Sequence, residues 1–326
     1  MMTDTAGAIT VGVSTEGLPR PERGYAWLSA HLFFTDDSIY AEGCDRVLLE
    51  SVQPLAEDWR QLGRRWFFIR YSEGGLHVRL RVFGPTPWLE EVARPAIEKA
   101  ATESHRIERL TFVDYEPEVE RYGGPHGVVM AEELFHQSSI AALELLRKIE
   151  PEDRSARFGK ALLAMLVQLH TFFGDRDAAT AVVDGYGTNY LRAQVPDARE
   201  QELWMEAFRS GFDRQADRLA QYVEVAWEAL DQGEELTPEL DRFRDAMQRH
   251  AAALRRLFEG GLLLVEGHAV AESLETKQRV VSSYLHMMNN RLGVTIREEC
   301  YLSVLIQRAL GCVVQQSLAS NSASEE

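Results

Sequence analysis

Hydrophobic and polar positions divide the chain into two regimes. Between Gly24 and about Tyr122, short apolar runs rich in aromatic and β-branched residues alternate with segments of three- and four-residue apolar spacing. YAWLSAHLFF is strand-like, CDRVLLESVQPLAEDWRQLG is helical, and RRWFFIRYS and HVRLRVFG read as two strands around a Glu-Gly-Gly turn. The helix TPWLEEVARPAIEKAATES and the strand IERLTFVDYEPEVERYGG complete the order strand, helix, strand, strand, helix, strand. That order predicts α+β architecture, a ferredoxin-like antiparallel sheet unit over residues 23–125 with helices on one face.

From Val128 the spacing becomes helical, in VVMAEELFHQSSIAALELLRKI, RFGKALLAMLVQLHTFF and ELWMEAFRSGFDRQADRLAQYVEVAWEAL. Two further helices follow, separated near Gly293, with Gly293 as the stop, Thr295 as the next N-cap and Glu298 completing a capping box. Residues 126–315 are therefore expected to form a mostly helical region packed on the sheet unit as one functional unit. Residues 1–22 and 316–326 are small and polar, and are expected to be loose tails.

Charge narrows the function classes. The 326 residues carry 35 Lys and Arg against 51 Asp and Glu, a formal net charge of -16. Such a surface repels phosphate backbones, so direct nucleic-acid binding is not expected. No stretch approaches the roughly 18 apolar residues of a membrane span, and the N-terminus lacks the features of a signal peptide, which points to the cytoplasm and away from membranes. Cys44, Cys300 and Cys312 have no CxxC spacing, so neither a zinc site nor a disulfide framework is indicated.

Three segments hold candidate chemistry. His77, Arg79 and Arg81 at spacing two share one strand face, while Val78, Leu80 and Val82 face the other. Three basic residues in a row are either a solvated face neutralised by acidic neighbours or an anion-binding face. In DYEPEVERYGG an extended chain points Glu118 and Arg121 in opposite directions, so they meet only across a bulge or turn. Ser282, His286 and Asn290 lie at i, i+4 and i+8 on one helix face, with Arg279 and Asn289 beside them. There His286 is either a satisfied structural histidine or a proton-transfer residue.

The segments RWFFIRYSEGGLHVRLRVFG, YEPEVERYGG and SSYLHMMNNRLGV, in this order, resemble the thiopeptide-type bacteriocin biosynthesis domain, which is also the C-terminal elimination domain of class I lanthipeptide dehydratases. The resemblance runs from about Gly24 to about Gln315. It implies a lyase that eliminates glutamate from a glutamylated Ser or Thr of a ribosomal precursor peptide, leaving dehydroalanine or dehydrobutyrine. It implies no metal or cofactor. A separate tRNA-dependent glutamylation protein is implied as partner, since this chain resembles a stand-alone elimination protein from a split dehydratase.

The matched positions are His286, Arg79 and Arg121 as catalytic residues and Arg81 and Glu118 as substrate-binding residues, with Arg70 and Asn290 as further substrate contacts. Arginines suit the free carboxylate of the glutamyl group, an acidic side chain its ammonium, and an acid or base the proton transfer. Arg79, Arg81 and Arg121 are then expected to converge between the sheet and the helix bearing His286. Two alternatives remain: a thiopeptide pyridine synthase, which joins two dehydroalanines in a formal [4+2] cycloaddition and expels the leader peptide, and a catalytically silent peptide-binding partner.

Overall fold

The structure, a computed structural model, describes the backbone of residues 24–323 and the side chains of residues 24–311. The expected N-terminal tail lies outside the described residues. At the other end the backbone is helical to Ala323, past position 316 where the sequence suggested a loose tail.

Strands β1 (Tyr25–Phe34), β2 (Arg65–Tyr71), β3 (His77–Pro85) and β4 (Ile107–Val113) pair antiparallel in the order β2-β3-β1-β4. The connections are helical. α1 joins β1 to β2 through Glu42–Val47, a π-turn at Leu48–Val52 and Gln53–Gln61. α2 joins β3 to β4 through Thr86–Trp88, a π-turn at Leu89–Ala93 and Arg94–Glu103. This is the ferredoxin-like arrangement that the element order predicts. Both π-turns precede a proline, Pro54 or Pro95, whose missing N–H and bulky ring are accommodated by the wider turn.

Alternation along the strands sets the layers. Leu28, Ala30 and Leu32 of β1 and Val78, Leu80 and Val82 of β3 are buried with Val47, Leu48 and Ile97 of the two helices. The opposite face carries Trp27 and His31 of β1, Phe67 of β2, and Arg79 and Arg81 of β3. One expectation is corrected here: the last strand ends at Val113 instead of running towards Tyr122. Pro117 has no N–H for a ladder, and the chain leaves the sheet to close a 3-10 turn at Glu120–Tyr122.

The helical region contains α3 (Gly124–Leu146), α4 (Arg154–Phe173), α5 (Arg176–Gln194), α6 (Ala198–Asp213), α7 (Ala216–Gln232), α8 (Pro238–Glu259), α9 (Leu274–Leu292) and α10 (Ile296–Ala323). A short hairpin at Leu264–Val265 and His268–Ala269 precedes α9. Gly293 ends α9 at φ +71, and Thr295 and Glu298 form the expected capping box, with Thr295 N–H donating to Glu298 Oε2 at 2.8 Å. Among the described residues no helix is long and apolar enough to cross a membrane.

Side chains of the helical region seal the edge strand β2. Ser139 Oγ of α3 accepts from Phe68 N–H at 3.2 Å, and Asn290 of α9 exchanges two 3.0 Å bonds with the backbone of Arg70. Edge groups that would otherwise be unpaired are thereby satisfied, and α9 is fixed in register with the sheet. Beside this seam, Arg70 Nη2 donates to Asp45 Oδ1 at 2.5 Å while Arg157 of α4 donates to Oδ2 of the same carboxylate. The two guanidinium groups also donate to the carbonyls of Ile39 and Leu292. At Gly293, φ +71, a Cβ would fall 3.0 Å from Arg157 Nη1 and Arg70 Cζ, so a side chain here would press on both buried guanidinium groups and the turn favours glycine.

Candidate functional site

A cavity of about 370 Å³ lies between the polar face of the sheet, the 114–122 segment and α9. Arg79, Arg81, Glu118, Arg121 and His286 all line it. The volume is that of a small-molecule site.

β3 contributes the arginines. Arg79 is half-buried with its guanidinium 3.3 Å from the centre of the Tyr71 ring, and its Nε donates to His77 Nε2 at 3.2 Å. Arg81 is 8% exposed, stacked over Tyr115 at 4.6 Å and Phe67 at 5.3 Å. Its Nε has no hydrogen-bond partner among the described residues, and burial pulls its pKa down to about 10. Among the described residues neither arginine has a carboxylate at ion-pair distance, whereas Arg121 does. The solvated, acid-neutralised face that the sequence allowed is therefore not what forms: His77 and Arg81 are buried. A buried cation without a counter-ion is costly, and an anionic ligand removes that cost.

The 3-10 turn contributes the second cluster. It folds Arg121 back so that Nη1 donates to Glu118 Oε2 at 2.9 Å, the encounter an extended chain forbids. Arg121 Nε donates to Ser283 Oγ of α9 at 3.1 Å and Nη2 to Tyr190 Oη of α5 at 3.3 Å. Gly123 and Gly124 end the turn at φ +88 and +86, and a Cβ on Gly123 would meet Leu263 at 2.5 Å. The ERYGG glycines thus let the turn enter α3 against the hairpin.

α9 contributes His286. Its Nδ1 lies 3.1 Å from Glu299 Oε2 of α10, and its ring packs on Tyr190 at a centroid distance of 5.0 Å. Glu299 is fully buried and also accepts a short hydrogen bond from Tyr186 Oη. A carboxylate accepts only, so Nδ1 carries the proton and the neutral ring's lone pair is on Nε2. Tyr190 thus touches both His286 and Arg121, which joins the two clusters.

Two of the expected substrate contacts, Arg70 and Asn290, line the cavity with their polar groups engaged in bonds within the protein. The Arg70 side chain is 0% exposed and spent on Asp45 and two carbonyls, because period-two alternation places it with Trp66 and Phe68 on the core side of β2. Asn290 uses both ends of its amide on the Arg70 backbone. Both build the wall of the cavity without offering it a free polar group. Conversely, Glu299 and Tyr190 carried no sequence signal beyond their residue type, while Tyr115 and Ser283 lie within the quoted motif segments without having been singled out.

The family model for the lantibiotic biosynthesis dehydratase C-terminal region matches residues 27–310. The tRNA-dependent lantibiotic dehydratase MibB from Microbispora sp. 107891 superposes with a TM-score of 0.65 at 22% identity, over 92% of this chain. This chain spans only 29% of MibB. TsrL superposes with a TM-score of 0.68 at 18% identity, covering 87% of this chain and 94% of TsrL. TbtD, the pyridine synthase of thiomuracin biosynthesis, superposes with a TM-score of 0.66 at 17% identity, covering 88% of this chain and 98% of TbtD. No curated protein matches this chain by sequence. The matched span holds every residue that lines the cavity and nearly all of the sheet unit and helical region, and this chain belongs to the lantibiotic biosynthesis dehydratase C-terminal family.

Proposed function

We propose that the protein is a lyase that eliminates glutamate from a glutamylated Ser or Thr of a ribosomally made precursor peptide, giving dehydroalanine or dehydrobutyrine. The observation that carries this reading is the pair Arg79 and Arg81, cations without a carboxylate partner among the described residues, in one cavity with His286. They take the free carboxylate of the glutamyl group by charge-assisted hydrogen bonds, and Glu118 takes its ammonium. His286 Nε2 removes the Cα proton of the esterified residue. The electron pair forms the Cα–Cβ double bond, the Cβ–O bond breaks, and glutamate departs as a carboxylate whose charge Arg121 stabilises. No water is consumed, and the proton left on His286 returns to the product carboxylate or to solvent.

The net charge of -16 favours this half of a dehydration over ester formation from a charged tRNA, which needs a basic surface. In this reading a separate tRNA-dependent protein glutamylates the precursor, and both act in the cytoplasm. The fold match to TbtD, as good as that to MibB, favours pyridine synthesis as the second reading. The free arginines separate the two, since two dehydroalanines carry no carboxylate for them to hold. Incubating the purified protein with a glutamylated precursor and following its mass decides between them. Loss of glutamic acid supports elimination; an inert ester, together with ring closure of a dehydrated peptide, replaces it with cycloaddition.

A further inference from the structure

His77 belongs to the row of basic residues on β3, yet its surroundings make it something other than a cation. It is 1% exposed, and its ring packs against Phe33 and His31 of β1 at 4.6 Å each and Tyr71 of β2 at 5.4 Å. Both ring nitrogens have partners of fixed polarity. The carbonyl of Gly75 lies 2.7 Å from Nδ1 and can only accept, so Nδ1 carries a proton. Arg79 Nε lies 3.2 Å from Nε2 and can only donate, so Nε2 carries a lone pair.

We infer that His77, held as the neutral Nδ1–H tautomer, is the positioning residue that aims the Arg79 guanidinium at the anionic group of the substrate. With Nε tied to His77 and one face laid on Tyr71, the fork of Arg79 has its Nη groups left for a carboxylate. This deepens the proposed function and rests on its use of Arg79 as a carboxylate clamp. Protonation of His77 would set an N–H against the N–H of Arg79 and add a positive charge beside Arg79, Arg81 and Arg109. The groups facing the ring are His31 and Phe33 from β1, Tyr71 from β2, Arg109 from β4, and Arg79 and Arg81 on its own strand. None is an acid that would stabilise the imidazolium, and burial with these cations lowers its pKa from the ordinary histidine value.

Two measurements test this. Long-range proton–nitrogen NMR of the unliganded protein at neutral pH should show His77 as Nδ1–H; an Nε2–H tautomer or an imidazolium overturns the inference, whatever reaction the protein performs. In turnover, His77→Phe keeps an aromatic ring but no acceptor, and KM for the glutamylated peptide should rise about 10-fold to 100-fold with a much smaller change in kcat. Protonation of His77 should raise KM of the parent at acidic pH, and His77→Gln, whose amide oxygen reaches the position of Nε2, should restore most of the affinity and abolish that rise, because an amide does not titrate. An unchanged KM in His77→Phe, or an acid rise that persists in His77→Gln, overturns the inference. Failure of the unmodified protein to release glutamate would instead remove the proposed function and leave the tautomer to be decided by NMR.

Discussion

His286 Nδ1 sits 3.1 Å from Glu299 Oε2, joining the middle of α9 to the first turn of α10 across the Gly293 turn. Glu299 is fully buried and is held from its other side by Tyr186. The carboxylate therefore fixes which nitrogen of His286 carries the proton and which way the ring faces.

Glu299→Gln is expected to lower kcat about 100-fold with KM nearly unchanged, since the ring loses its enforced tautomer while the arginines remain. His286→Ala should leave glutamylated peptide bound and unreacted. Single-turnover rates under saturating enzyme check both; a His286→Ala protein that eliminates as fast as the parent removes histidine from the chemistry.

Arg81 sets stability against binding. Replacing this buried, unpaired cation by Met keeps the apolar stem against Phe67 and Tyr115 and removes a desolvated charge. The expected outcome is a melting temperature equal to or above that of the parent, by about 1 kcal/mol of stability, with a loss of about 2–5 kcal/mol in substrate binding. A variant that melts lower and binds normally would show that Arg81 is a structural residue.

Asp45 is the single carboxylate between Arg70 and Arg157, all three buried. Asp45→Ala leaves two guanidinium groups uncompensated and should cost about 3–5 kcal/mol. Urea unfolding of parent and variant measures it, and a loss below about 1 kcal/mol would mean that the carbonyls of Ile39, Arg291 and Leu292 satisfy the arginines by themselves.

Acid sensitivity should trace to buried histidines. His250 packs edge-on to Tyr284 and Phe172, its Nε2 has no partner among the described residues, and burial pulls its pKa down to about 3. Burial, then nearby cations, pull His31 down to about 4. Below about pH 6.5 the unfolded chain takes up protons that the folded one refuses, so stability is whole above that pH and falls on acidification. For His250 the slope is at most about 1.4 kcal/mol per pH unit until its folded pKa is reached. Melting temperatures between neutral and acidic pH should fall less steeply for His250→Phe than for the parent; parallel curves would assign the acid response to other groups.

How much of this was legible in the sequence differs by element. The four strands of the sheet unit and their order along the chain follow from period-two runs and glycine turns, and the Thr295–Glu298 cap is readable from spacing alone. The end of β4 was not, because a charged extended segment and an irregular one have the same composition, and only Pro117 signals the break. Alternation along RWFFIRY already sets Arg70 on the side of Trp66 and Phe68, which is why its charge is met by Asp45 and not by the cavity.

The sequence by itself determined the α+β order, the faces of β3, the stop at Gly293 and the motifs that mark the family, because backbone sterics and side-chain periodicity act over a few neighbouring residues. Tertiary structure alone decided that Arg121 reaches Ser283, 162 positions away, that Glu299 and not Ser282 or Asn290 holds His286, and that His77 is a neutral acceptor for Arg79 instead of a third cation. These depend on how α3 and α9 close the edge of β2 and how deeply each polar group is buried. Direction and desolvation at such contacts are set by packing between distant segments, and local spacing carries no record of them.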